Sequence, residues 1–279
     1  MTRPKLSVVI PAYNNAPYIE ATVESVLGQD FGDFELIVAD HSSTDGTADL
    51  LGKYAGDRRV TLLSTPAGGG APRNWQRVTA EATGEYVKLV CGDDLLYPGA
   101  LAAQVAALDA HPSAVAVASR RDILDARGTK MIGGRGLQGL SGLVPGEEAI
   151  RRTVRLGTNV FGEPMCVTMR RDALERAGGW DGRFPYLIDM ASYTKVLFHG
   201  DLYALRQVVG GFRVSAGQWS VALVADQARQ AKAYHRWVAG QLPGGLRAAD
   251  VWQGNRRAEL AALQRRVFYT VFRSRLSPP

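Results

Sequence analysis

Short apolar runs and helix-period faces take turns along the first 120 residues. LSVVI at Leu6–Ile10 is a buried-strand pattern closed by Pro11. From Tyr18 to Leu27 the apolar positions Ile19, Val23, Val26 and Leu27 share one face at helical spacing. FELIVA at Phe34–Ala39 predicts a second strand, and the polar run His41–Thr47 supplies a cap for a helix over Ala48–Tyr54. A strand at Val60–Leu63, a helix at Arg73–Ala82 and a strand at Tyr86–Cys91 follow. Next come an alanine-rich helix at Gly99–Ala110 and a strand at Ala114–Ser119. Such alternation predicts an α/β fold, a Rossmann-like doubly wound and mainly parallel sheet. Right-handed crossovers put every strand's C-terminal end on one rim, where ligands of such sheets bind. Pro11–Asn14, Asp40–Asp45 and Gly92–Asp94 all follow strand ends, so three polar clusters converge there.

Beyond residue 120 the pattern loosens. Residues 130–146 hold six glycines and read as a mobile loop, a lid or a surface segment. Helices are expected at Glu147–Leu156 and Leu187–Phe198, and strands at Met165–Met169 and Leu202–Val209. From about Gln218 the chain reads as two helices broken at Gly240–Gly245. The division this suggests is 1–119 and 120–217 as the two halves of one domain, with 218–279 as a basic helical extension.

Composition narrows the classes. With 46% hydrophobic and 22% charged residues, the 279-residue chain can bury a core and is too apolar for disorder. No apolar run reaches the roughly 18 residues of a membrane span, and the N-terminus lacks a signal-peptide pattern. Cys91 and Cys166 are too few for a disulfide framework or a four-cysteine zinc site. A cytoplasmic location is the expectation. The formal charge is +6, and residues 225–279 carry ten Arg/Lys against three Asp/Glu, net +7. That tail suits an anionic partner such as a membrane surface, or is a solvated helix face. Nucleic acid is not expected as the partner, for no recognition module is present.

Adjacent carboxylates repel unless a cation or donor compensates them. Asp93-Asp94 at a strand end therefore reads either as a Mg²⁺ or Mn²⁺ site completed by phosphates, or as an Asp-rich turn. Asp40 could accept from a base imide or a ribose hydroxyl, or cap the next helix. Tyr13 and Asn14 form a stacking shelf or a simple turn.

Together these blocks resemble the family 2 glycosyltransferases of GT-A fold. SVVIPAYNNAPYIEATVESVLGQDFGDFELIVADHSSTDGT and RNWQRVTAEATGEYVKLVCGDD match nearly continuously from residue 6 to about 101, and GEPMCVTMRRDALERAGGWDGRF extends a weaker match through 163–215. The resemblance implies an inverting, metal-dependent enzyme that moves a sugar from a nucleoside-diphosphate donor, a UDP-sugar by analogy, to an acceptor hydroxyl in cell-surface polysaccharide or glycoconjugate synthesis. It implies that Pro11, Tyr13, Asn14, Asp40, Arg73, Asn74 and Asp93 face the nucleotide sugar. Asp94, with Asp93, would hold the divalent metal (Mn²⁺ or Mg²⁺), and Asp189 would be the catalytic base. The sequence departs from the pattern at three places. Cys91 replaces the first acid of the metal run, Ile188 the Glu before the base, and Ser215 a histidine after Arg213. The Q-x-x-R-W signature of processive synthases is missed, since Ala233 stands at the Gln position before Arg236-Trp237. Two other classes stay open: a nucleotidyltransferase on a related sheet, and a catalytically silent nucleotide-sugar-binding or anionic-surface-binding protein.

Two motifs lead elsewhere. Gly134–Gly139 satisfies G-x-G-x-x-G without the strand and helix that a dinucleotide site requires. Arg265–Arg273 interleaves bases with aromatics; Phe268, Val271 and Phe272 either pack on the body or seat the helix on anionic lipid headgroups.

Overall fold

A computed structural model describes residues 3–218, 223, 225–242 and 244–277. The strands are β1 (Leu6–Ala12), β2 (Phe34–Asp40), β3 (Val60–Ser64), β4 (Tyr86–Leu89), β5 (Leu95–Leu96), β6 (Ala114–Leu124), β7 (Lys130–Arg135), β8 (Gly142–Val144), β9 (Val167–Arg170) and β10 (Asp201–Arg213). They form one sheet in the order β3-β2-β1-β4-β9-β6-β10-β5, with β7 on β6 and β8 on β10. β3, β2, β1 and β4 run parallel, as do β6 and β10. β9 lies antiparallel between β4 and β6. The sheet is thus mainly parallel and mixed α/β, the GT-A architecture expected. Every residue of β1 is buried, because helices cover both faces of a parallel strand and reward an unbroken apolar run. Chain order reverses at β1, which has β2 on one side and β4 on the other. That switch point opens the crevice where such sheets take ligands.

The glycine-rich segment 130–146 is where the expectation fails. It is not a mobile lid: β7 and β8 pair with the sheet, and Leu137 is fully buried with its N–H donating to the Val160 carbonyl at 2.8 Å. Its glycines supply left-handed turns between edge strands, and a low apolar count hid those strands from a pattern search. β6 also runs five residues past Ser119, carrying Arg120, Arg121 and Asp122 within the strand.

The C-terminal chain forms helices Gln227–Gln241, Ala248–Val271 and Arg273–Leu276. Residues 219–222, 224 and 243 of the expected helical stretch lie outside the described residues. In the first of these helices the buried Tyr234 shares a hydrogen bond with Thr194 Oγ1 at 2.6 Å. The second packs backbone to backbone on helix Gly146–Leu156: a Cβ on Gly254 would collide with the Val154 carbonyl. Gly254→Val should therefore destabilise the protein by about 1–3 kcal/mol through forced separation of the two helices, measured by denaturant unfolding. The last turn is a strap. Arg275 Nη2 pairs with Asp125 at 2.9 Å, and the Ala126 and Ala216 N–H groups donate to the Arg275 and Leu276 carbonyls.

Candidate active site

At the ends of β1 and β2 the chain turns sharply, and neighbouring polar groups hold both turns. His41 N–H donates to the Ala12 carbonyl at 2.9 Å, while Asn14, in the left-handed region at φ 49°, receives Thr44 N–H on its side-chain oxygen at 2.9 Å. Pro11 is buried in β1, level with Ala39. The Tyr13 ring is 59% exposed and stands 5.9 Å from the His41 ring, leaving one face open at the lip of the crevice. Asp40 ends β2. One of its oxygens accepts Ser43 N–H at 3.1 Å, and the other, Oδ1, is buried without a partner among the described residues. An acceptor left over at a ligand-binding rim has unused capacity for a donor group.

Asn74 and Arg73 part company. Asn74 is buried, gives its two amide protons to the Ala12 and Ala39 carbonyls at 3.2 and 3.1 Å, and accepts from Thr65 Oγ1. Its amide ties β1 to β2, and both of its protons are taken up within the fold. Arg73 points outward, donates to the Ala67 carbonyl at 3.1 Å and lines a groove of about 570 Å³ with Thr65, Gln76, Arg77 and Trp180.

A second cluster begins one strand away. Gly92 is packed so closely by Asn15 that a Cβ there would meet Asn15 Oδ1 at 2.5 Å; that oxygen also accepts Tyr13 N–H at 2.8 Å. The β1 and β4 turns are therefore joined, and with them the nucleotide-side residues and Asp93-Asp94. Asp93 Oδ2 accepts from Gln218 Nε2 at 2.7 Å. Asp94 is fully buried: Oδ1 accepts Arg213 N–H at 3.0 Å, and Oδ2 has no partner among the described residues. Arg213 also donates from Nε to the Asp93 carbonyl at 2.8 Å and lies over the Tyr18 ring at 4.7 Å. Burial raises the pKa of both acids, and that of Asp94 goes well above the usual carboxylate range because Asp93 repels its charge as well.

Asp189 begins helix Ile188–Leu197. Its Oδ2 accepts from Asn159 Nδ2 at 2.8 Å and its Oδ1 from the Met190 N–H at 2.7 Å. Burial pushes its pKa up to about 7, with a smaller upward push from Glu163. Glu163 is paired with Arg121, whose Nη2 donates to Oε1 at 2.7 Å. Cys91 feels the charge of all of these acids. Its thiol is pushed well above the ordinary range by burial and then by the fields of Asp94, Asp93, Asp189 and Glu163. Carboxylates from three separate segments thus act through their charge on one thiol.

Asn159, Glu163, Arg121 and Gln218 were not singled out from sequence. Glu163 opens the GEPMC block, and Arg121 is a charge inside an extended strand, so both left a trace. Asn159 and Gln218 left none, since their role depends on which side chain the fold brings opposite them.

Among the described residues no three His, Cys, Asp or Glu side chains cluster as a metal set. The orphaned, buried Oδ2 of Asp94 beside Asp93 still fits a hard divalent cation, because Mg²⁺-type sites commonly take one or two carboxylates and complete their shell with phosphate and water.

Comparison with known proteins bears on the family and the fold. Over 116 residues the chain is 39% identical to the poly(ribitol-phosphate) beta-N-acetylglucosaminyltransferase TarS of Staphylococcus aureus, covering 40% of the chain and 20% of that protein. Five such curated relatives are matched over only 14% to 40% of their length. The crystal structure of S. aureus TarS 1-349 in complex with UDP-GlcNAc superposes with a TM-score of 0.69 at 20% identity, over 88% of this chain and 68% of that one. A mannosyltransferase from Pyrobaculum calidifontis in complex with GDP-Man and Mn²⁺ gives 0.64 at 20% identity, over 97% and 76%. At that identity the superpositions speak for the fold. The sequence profile of glycosyl transferase family 2 matches residues 7–178, more than half of the chain, and the protein belongs to that family.

Proposed function

We propose that the protein is an inverting, non-processive glycosyltransferase that moves a sugar from a UDP-sugar to an acceptor hydroxyl in the synthesis of a cell-surface polysaccharide or glycoconjugate. The observation that carries this reading is the pair of buried carboxylate oxygens without partners among the described residues, Asp40 Oδ1 at the end of β2 and Asp94 Oδ2 beyond β4, on either side of β1 where the chain order reverses. Support for the donor comes from the relatives: TarS is solved with UDP and with UDP-GlcNAc. In this reading residues 1–119 are the donor half, 120–217 the acceptor half and 218–279 a helical extension.

The base rests near Pro11 and the Tyr13 ring, with Asp40 Oδ1 accepting from the base or ribose. Asn14 and Asn74 hold the two turns in place, and Arg73 stands at the outer edge. Asp94, assisted by Asp93, would hold a divalent metal, which when bound would offset the charge developing on the leaving diphosphate. Asp189 removes the proton of the acceptor hydroxyl. Asn159 and the Met190 N–H hold its two oxygens in one orientation, so the carboxylate needs no reorganisation before the transfer. The acceptor oxygen then attacks the anomeric carbon opposite the diphosphate, which inverts the configuration. A carboxylate with a pKa of about 7 suits this task, being both substantially ionised and basic enough at neutral pH.

Gln218 and the Arg213 backbone contact Asp93 and Asp94 and form the roof of this part of the crevice. The test is a thermal-shift and product-release screen of UDP-, GDP- and dTDP-sugars, each with Mn²⁺, Mg²⁺ or chelator. UDP-sugars with metal should raise Tm and release UDP slowly without acceptor. If no nucleotide sugar stabilises the protein and none is cleaved, the reading falls.

A further inference from the structure

Helix Ala248–Val271 buries Gly254, Ala258 and Ala262 on one side. On the other side it leaves large apolar groups in solvent: Trp252 at 67%, Leu260 at 55%, Leu263 at 57%, Val267 at 54% and Val271 at 66% exposed. At about 100° per residue these five fall within an arc of roughly 100°, centred opposite the buried face. The stripe runs some 29 Å along the axis, estimated at about 1.5 Å per residue. Scattered exposed apolar residues are ordinary, but an aligned row of five is not.

Charge is arranged around that row. Residues 248–277 carry six arginines against two acids, net +4. On the same helical projection Arg257 borders the stripe on one flank, Arg266 on the other, and Arg256 rises from within it. Arg257 and Arg266 each also give one proton to a neighbouring carbonyl, of Arg155 and Ala225, both at 3.1 Å, and keep further donors for an anion. Arg273, two residues past Val271 and the first of the short helix Arg273–Leu276, is exposed close by. Of the two acids, Glu259 is paired with Lys232 and lies 3.8 Å from Arg256. Long guanidinium side chains can reach past an apolar stripe to an anionic headgroup layer while their stems lie along it. Two copies of the chain meeting through the same row would instead bring like-charged flanks together.

We propose that this helix docks in the plane of an anionic lipid bilayer, sinking the Trp252–Val271 stripe below the headgroups with the arginines at phosphate level. The apolar set differs from the aromatic one that the sequence suggests. Phe268 and Phe272 are half-buried, their rings tilted against each other with centroids 4.8 Å apart, leaving Val271 of that trio in the exposed row. The helix has the marks of an interfacial element, an apolar face between basic flanks, and no helix among the described residues is long and apolar enough to cross a membrane. The strap formed by Arg275 and Leu276 joins its end to Ala126 and Ala216, so the docked helix would carry the carboxylate crevice at a set distance from the lipid surface.

Vesicle flotation of the full chain tests the proposal. It should float with mixed phosphatidylglycerol–phosphatidylcholine vesicles and remain behind with pure phosphatidylcholine. Raised salt should weaken the association. The double variant Leu263→Glu, Val267→Glu should bind at least tenfold less, and Arg266→Glu with Arg273→Glu should show a comparable loss. Both pairs are solvent-exposed, and an unchanged circular dichroism spectrum verifies folding. Trp252→Ser, a single change, stands in should the acidic pair not fold, and should remove the blue shift of tryptophan emission on vesicle addition. No flotation with anionic vesicles, or equal binding by the variants, overturns the proposal. So does a dimer in sedimentation that the Leu263→Glu, Val267→Glu change makes monomeric, since the row would then be covered by a second copy.

Discussion

Asp189→Asn should lower the rate of sugar transfer by about 10²–10⁴, the usual contribution of a positioned general base, with donor affinity unchanged. The amide keeps the size of the carboxylate and can still meet Asn159, so the loss should appear in kcat and not in the donor KM. The wild-type enzyme should also be pH-dependent in one direction. Burial holds the Asp189 pKa up to about 7, and the group acts only when ionised. Transfer should therefore fall as pH drops below about 7 and level off above it. A steady-state pH profile of kcat tests this. A profile flat from pH 5 to 8 would remove Asp189 from the role of base. Asn159→Ala should weaken the reaction less and shift the midpoint, because it removes a hydrogen bond to the ionised form.

The second large effect concerns Asp94 and has opposite signs for stability and function. Its folded-state pKa lies well above the ordinary value, through burial and the nearby Asp93 charge. A carboxylate raised in this way favours the fold at pH values below its unfolded pKa of about 4, and that contribution is lost as pH rises through the folded value. At neutral pH without metal, an ionised Asp94 is a liability. Asp94→Asn should accordingly stabilise the metal-free protein at pH 7–8, by about 1–3 kcal/mol if the orphaned buried oxygen is the main cost. The same change should abolish the stabilisation by donor plus Mn²⁺, which at 100 times Kd is worth about 2.7 kcal/mol in the wild type. Paired melts with and without UDP-sugar and metal decide the matter. A variant that is less stable alone, or equally stabilised by ligand, contradicts the assignment.

Much of the first 119 residues was readable because parallel strands buried on both faces are unbroken apolar runs, as in β1 and β2, and their ends coincide with the polar turns. Asp93, Asp94 and Asp189 could be named on residue type and resemblance alone. What stayed hidden depends on partners distant in sequence. Asn74 gave no sign in its residue type of the bonds its amide makes to the Ala12 and Ala39 carbonyls. The β7–β8 segment looked like loop because its edge strands bury little, and pairing with β6 and β10 supplies the order that composition withholds. Lys88 is the plainest case of tertiary override. A charge in the middle of β4 is fully buried, donating to Gln104 Oε1 at 2.7 Å and to the Met165 carbonyl at 2.6 Å, with its pKa brought down to about 7 by that burial.

The strap at Arg273–Leu276 makes the donor crevice vulnerable from a distance. It grips Ala126, whose carbonyl accepts from Arg213 Nη1 at 3.2 Å, and Ala216, three residues after that same arginine. A tryptic nick after Arg273 would leave the ten-stranded sheet whole yet free the segment that roofs Asp93 and Asp94. Clipped enzyme should stay folded and lose its grip on the diphosphate, and bound donor should slow the clip.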